Sequence, residues 1–214
     1  MEFEEILKRR RSVRRFTDQQ VREETIIQIM NEARHAPTWA NAQESRIYVA
    51  AKNTARMIRK EYEEASAKGL GLSDYSFTHR EDWSERERKA MKNFERQIGS
   101  FIGDDYSEFI DVQNSLFNAP CIAYLTLPDD ASTWSKSDLG AMEMLILLCA
   151  ANREVDSIVA QAFVKYPEII RKHLQIPASE EIIIGIGLGY KADDNINEFR
   201  SPRKSLTDIL TIKE

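Results

Sequence analysis

Cysteine and histidine are scarce in this chain, and their scarcity removes several chemistries at once. Its 214 residues hold two cysteines and three histidines. No CxxC pair and no Cys/His cluster at metal-ligand spacing is present. Cys121 and Cys149 lie in apolar runs and read as free buried thiols. His35, His79 and His173 share no spacing and read as structural or exposed residues, so no catalytic acid, base or nucleophile is nominated. Long apolar runs are also missing. The longest, Ala141 to Ala151, is too short to span a bilayer, and the opening MEFEEILKRRR has no apolar stretch of a secretory signal. These absences predict a cytoplasmic protein with no membrane partner. A basic surplus is missing as well: the net charge is −5 and the pI about 5.4. That opposes a general nucleic-acid binder, which carries an overall basic surface.

What is present is ordinary globular composition with no repeat and no low-complexity linker, in a chain long enough to bury a core without disulfides. Apolar periodicity predicts helices over Glu2–Arg9, Glu23–His35 (stopped by Pro37), Asn53–Lys68 (ended by Gly69 and Gly71), Glu85–Ile98, Ser135–Asn152 and Pro167–Leu174. In the longest of these, Ser135 or Ser137 is the expected N-cap and Leu139, Met142, Leu145, Ile146 and Cys149 are expected to face inward. Strands are predicted at Arg46–Ala51, at 121–127 and at Glu181–Tyr190. Residues 72–115 are polar, charged and studded with aromatics, and read as a helical excursion or lid on a single domain covering 1–214. Few strands between long helices imply a mixed α/β domain with one central sheet and one long buried helix.

Three stretches carry chemistry. In the first, Arg10, Ser12 and Arg14 alternate along an extended segment, sharing one face while Val13 packs inward. The arginine fork suits phosphate because it donates parallel hydrogen bonds and keeps its charge. In the second, Pro37-Thr38-Trp39-Ala40-Asn41-Ala42-Gln43, two primary amides offer the donors and acceptors that a heterocycle edge requires. The third is a late basic pair, Arg200 and Arg203. The spaced glycines Gly185, Gly187 and Gly189 are not a dinucleotide fingerprint: the spacing is G-x-G-x-G, within a strand, and no helix follows. Glycine there is expected to let a helix approach closely.

The order of these stretches resembles the nitroreductase family. RRSxR comes first, APTxxNxQ about two dozen residues later, then the long apolar helix, VDSIVAQAF at 155–163, GLGY at 187–190 and a late RxxR. The resemblance implies an α+β, three-layer α/β/α fold with a mostly antiparallel sheet, assembled as a homodimer with two flavin sites at the interface. It further implies FMN as cofactor, NADH or NADPH as electron donor, and a small-molecule acceptor such as a nitroaromatic or quinone, reduced through flavin N5 in a ping-pong cycle. Residue by residue, Arg10, Arg11, Ser12 and Arg14 would lie at the flavin phosphate and ribityl chain, and Arg200 and Arg203 would complete the clamp. Pro37, Thr38, Trp39, Asn41 and Gln43 would reach the flavin of the partner subunit. Val159, Ala160, Gln161 and Ala162 would pass N5, with a backbone N–H as the contact. Tyr62, Phe77, Phe94, Phe101 and Phe109 are candidates for the substrate wall. Departures from the family pattern are Trp39, where Ser is common, Glu44-Ser45 in place of Pro-Trp, and 159–162, where many members have Pro, Glu and Gly. The last departure admits an alternative: a flavin-binding protein with a sensing or storage role and little turnover.

Overall fold

The computed structural model describes residues 2–69, 79–103 and 106–214. Gly71, Tyr75 and Phe77 lie outside these residues. Seven helices and four strands occur among those described: α1 (Phe3–Arg9), α2 (Glu23–Ala33), β1 (Arg46–Ala51), α3 (Lys52–Ala67), α4 (Glu85–Ile102), α5 (Tyr106–Asn114), β2 (Cys121–Pro128), α6 (Thr133–Asn152), β3 (Asp156–Val159), α7 (Pro167–Leu174) and β4 (Glu180–Gly189). The strands form one sheet in the order β1-β2-β4-β3, and every neighbouring pair is antiparallel.

Alternation along β2 explains the layers. Ile122 and Tyr124 point to one face, where they meet Ile58 and Tyr62 of α3 and Ile170 of α7. Cys121, Ala123, Leu125 and Leu127 point to the other, against Ile26 and Ile29 of α2 and Leu139, Met142 and Ile146 of α6. Both faces are covered, so β2 reads as an unbroken apolar run. β2 and β3 both run antiparallel to β4 and so parallel to each other. Parallel strands require a crossover connection, and α6 supplies it. The fold is therefore α+β, with helices on both faces of an antiparallel sheet.

Several expectations need correction. β3 carries no apolar alternation of its own and was not foreseen; its pairing with β4 creates it. The N-cap of α6 is Ser132, whose hydroxyl accepts from the Ser135 N–H at 3.2 Å. Ser135 itself lies one turn inside. The three glycines of β4 do not admit a helix. Gly185 and Gly187 make room for Phe163, which sits in the 3-10 turn after β3, and Gly189 makes room for Pro120 and Phe16. Tyr62 is core, not substrate wall: it is 1% exposed, and its hydroxyl donates to the Phe163 carbonyl at 2.6 Å. Cys149 is only half-buried and shares a hydrogen bond with Glu32.

One buried polar knot ties β1 to β2 and β4. The Glu180 carboxylate accepts from Thr126 Oγ1 at 2.6 Å, from the Tyr48 hydroxyl at 3.0 Å, and pairs with Arg46 at 3.1 Å. Thr126→Val removes a fully buried donor to a charged acceptor. It is expected to destabilise the fold by about 1–2 kcal/mol, read as a lower urea midpoint at unchanged slope.

Burial pushes the Cys121 thiol up to about 12, and the thiolate is the reactive form. At pH 8 a disulfide-exchange reagent should therefore titrate no more than the Cys149 thiol in the native protein and both thiols in guanidinium. Two fast-reacting native thiols would contradict the burial of Cys121.

Candidate functional site

The residues after α1 run beside the outer edge of β3. Ser12 bridges Ser157 in parallel sense, and the Val13 N–H donates to the Ser157 carbonyl at 3.0 Å. This extended geometry gives the expected alternation. Val13 is fully buried, while Arg10, Ser12 and Arg14 stay partly exposed.

The late segment 194–203 folds against the same stretch. Arg11 donates to Glu198 at 3.2 Å, and Arg15 pairs with Asp194 at 3.0 Å. The Arg14 guanidinium lies 5.6 Å from the centre of the Phe199 ring and donates to the Ser12 carbonyl at 3.1 Å. Arg203 turns back onto its own loop, donating to Ser201 Oγ at 2.8 Å. Arg10 and Arg203 are close enough to repel each other, as are Arg200 with Arg11 and Arg10.

The electrostatics of this cluster are those of partly buried, neighbouring cations. Burial holds the Arg14 guanidinium below its ordinary value. Arg10 is lowered by burial and then by the Arg203 charge. Arg200 is lowered by burial and then by Arg11, with Glu198 opposing. Arginine stays charged at any ordinary pH, so these shifts mark cations crowded together and partly withdrawn from water. A dianionic phosphate would relieve that strain, and the arginines offer it forked donors.

Val159 ends β3 two residues beyond the Ser12–Ser157 bridge. Ala160 then leads into the 3-10 turn Gln161–Val164. The leading N–H groups of such a turn have no carbonyl of their own turn to bond. Val159, Ala160, Gln161 and Ala162 thus stand next to the arginine-bearing edge.

The amide loop is elsewhere. Pro37, Trp39, Asn41 and Gln43 are exposed and Thr38 is partly so. Ala40, Asn41 and Gln43 have positive φ. The Trp39 N–H donates to Asp138 Oδ2 near the start of α6 at 2.8 Å, and Glu44 bonds Ser135 one turn earlier. The loop then enters β1, the sheet edge opposite β3. From β1 to the Ser12 segment is four strand spacings, about 19 Å. Within one subunit the structure brings the arginines and 159–162 together, but not the amides.

Sequence reasoning missed Asn197 and Glu198, and gave no role to Phe199 at the head of the late basic stretch. Each engages the early arginine segment, yet a polar stretch such as NINEF carries no signal beyond its nearness to Arg200. The histidines stand apart from this site: His173 bonds Glu61 at 2.9 Å and His79 caps a short turn. Among the described residues no grouping of His, Cys, Asp and Glu could hold a metal, and no helix is long and apolar enough to cross a membrane.

Comparison with known proteins places the fold. The Nitroreductase family model matches residues 7–190, and the chain belongs to that family. A 4-nitrobenzoate reductase of Nocardioides sp. (strain LMS-CY) is 28% identical over 199 residues, covering 88% of this chain and 80% of the relative. Among solved structures, the FMN-dependent nitroreductase NfnB from Mycobacterium smegmatis in complex with NADPH superposes with a TM-score of 0.91 at 21% identity. It covers 99% of this chain and 97% of its own. The FMN and NADPH-dependent nitroreductase NfnB from Sphigopyxis sp. strain HMH gives 0.87 at 19%, with both chains covered in full. At these identities the structural likeness establishes the fold.

Proposed function

We propose that this chain is an FMN-dependent NAD(P)H oxidoreductase that reduces small oxidised aromatics, nitroaromatics foremost, as a homodimer in the cytoplasm. The observation that carries the proposal is the crowding of Arg10 with Arg200 and Arg203 on the segment that carries Arg14 and bridges the β3 edge next to residues 159–162. The named relatives, FMN-dependent or acting on 4-nitrobenzoate, support it.

The residues fit the cofactor. Arg10, Arg14 and Arg203 would hold its phosphate, with Ser12 beside them. Arg200 adds charge at the rim, and Arg11, already paired with Glu198, braces the cluster. The turn amides of Gln161 and Ala162 are the donors for a ring heteroatom. FMN, when bound, supplies a ring that accepts hydride from a reduced nicotinamide and passes it on. Around it, this chain's residues bind and orient; none is required as acid or base. Donor and acceptor then use one opening in turn, as a ping-pong cycle requires.

Two surfaces support the second subunit. The loop with Pro37, Thr38, Trp39, Asn41 and Gln43 lies on the wrong edge to serve its own arginine cluster and is free to serve a partner's. α1 packs on α6, and Phe3, Leu7, Trp134 and Met144 of these helices stay exposed, Trp134 at 61%. Apolar surface of this kind marks a protein interface. We also infer one domain over 1–214 with the 72–115 excursion as its lid. Phe94 and Phe101 pack on Phe199, rings 5.8 and 5.4 Å apart, and so join α4 to the arginine loop.

Purified protein should bind FMN, sediment as a dimer and bleach under anaerobic NADPH or NADH, with 4-nitrobenzoate restoring the colour. Failure to bind FMN rejects the proposal. Binding without bleaching selects the sensing or storage reading, which the altered 159–162 stretch favours. Binding should also stabilise the fold: FMN at 100 times its Kd adds about 2.7 kcal/mol. For a chain of this length that raises Tm by about 5–10 °C, checked by differential scanning fluorimetry.

A further inference from the structure

We propose that Asn197 is a positioning residue for the flavin phosphate, holding the Arg14–Arg15 backbone so that the guanidiniums of the clamp face one point. This rests on the reading of the arginine cluster as the FMN phosphate site.

Asn197 is fully buried, and all four of its side-chain hydrogen bonds go to main chain. Its Oδ1 accepts from the Arg14 N–H at 2.7 Å and from the Arg15 N–H at 3.1 Å. Its Nδ2 donates to the Arg15 carbonyl at 2.8 Å and to the Ala192 carbonyl at 2.9 Å. One side chain therefore joins segments more than 180 residues apart in sequence. The segment it grips carries Arg10 and Arg14; the segment it belongs to carries Arg200 and Arg203.

Its two successors engage arginines of the same early segment. Glu198 holds Arg11, and Phe199 stacks on Arg14. Arg14 is thus fixed at its backbone by Asn197 and at its guanidinium by Phe199. Crowding cations that repel one another, as Arg10 and Arg203 do, requires such a bracket: without it, the two segments would relax apart into water. An amide suits the task. It supplies an acceptor and a donor in one plane without adding a negative charge that would neutralise the site.

The test compares FMN with riboflavin, which lacks the phosphate. Apo-protein is titrated with each flavin by fluorescence quenching, in wild type, Asn197→Ala, Arg14→Ala and the double variant. Asn197→Ala should weaken FMN by about ten-fold or more while moving riboflavin by less than about two-fold, since only charge-assisted phosphate bonds are displaced. The double variant should bind FMN within about three-fold of Arg14→Ala alone, because residues acting through one another are not additive. Equal weakening of both flavins, or losses that multiply in the double variant, would overturn the assignment and leave Asn197 as a fold residue. If Asn197→Ala does not fold, Asn197→Ser, whose shorter hydroxyl leaves room for water, takes its place in the same cycle. Wild-type protein that binds no FMN would reject the flavin site itself, a result distinct from either of these.

Discussion

Arg14→Ala should weaken FMN binding by about 100-fold. The side chain is half-buried, and its charge has no carboxylate partner among its described contacts: it meets the Ser12 carbonyl and the Phe199 ring. One N–H is used at Ser12, which leaves most of its five donors open. A forked pair of charge-assisted bonds to phosphate is worth about 3 kcal/mol, at 1.5–3 kcal/mol for each charged bond and less than additive. That corresponds to about two powers of ten in Kd. Arg14→Lys keeps the charge and loses the fork, so it should fall between wild type and alanine. The same substitution should leave the fold intact, because Arg14 relieves no buried carboxylate. The measurement is an FMN titration of apo-protein at fixed salt. An alanine variant that holds FMN within about three-fold of wild type would remove Arg14 from the site.

Much of the fold was legible in the sequence because its signals are local. β2 is apolar on both faces, α6 is apolar almost all round, and α2 shows one stripe; each was expected close to its observed bounds. Of the candidate site, the shared face of Arg10, Ser12 and Arg14 was legible because alternation in an extended segment needs no partner to be read. β3 was not, because Asp156–Val159 becomes a strand only by pairing with β4. Asn197 was not, because its role is defined by the main chain of Arg14 and Arg15, a contact that nothing near position 197 encodes. The glycines of β4 were seen as a close approach but assigned to the wrong neighbour. A helix was expected, whereas the approaching group is the single side chain Phe163, delivered by a turn that sequence periodicity does not show.

That contact makes Gly185→Ala the most damaging small substitution expected in the sheet. β4 is an inner strand, paired on both sides, so its backbone has little freedom to shift. A methyl on Gly185 would overlap the Cβ of Phe163. Cβ is fixed by the main chain and cannot rotate away. Phe163 itself is fully buried, and its carbonyl accepts the Tyr62 hydroxyl, so its turn is pinned too. Overpacking of this kind costs about 3 kcal/mol, the upper end of the usual range, and should lower Tm by about 6–12 °C. Gly187→Ala is the instructive partner. Its methyl would lie 2.7 Å from Phe163 Cζ, the far end of the same ring, which trimming can remove. In a double-mutant cycle with Phe163→Leu, the Gly187→Ala variant should recover part of its loss, whereas Gly185→Ala should show none, because leucine keeps the offending Cβ. Equal recovery at both positions would mean that the ring, rather than the backbone-fixed carbon, sets the spacing between β4 and the turn that follows β3. That turn carries Gln161 and Ala162, so the same strain should loosen FMN in Gly185→Ala while Thr126→Val, whose lost hydroxyl bonds Glu180 and not that turn, leaves it in place.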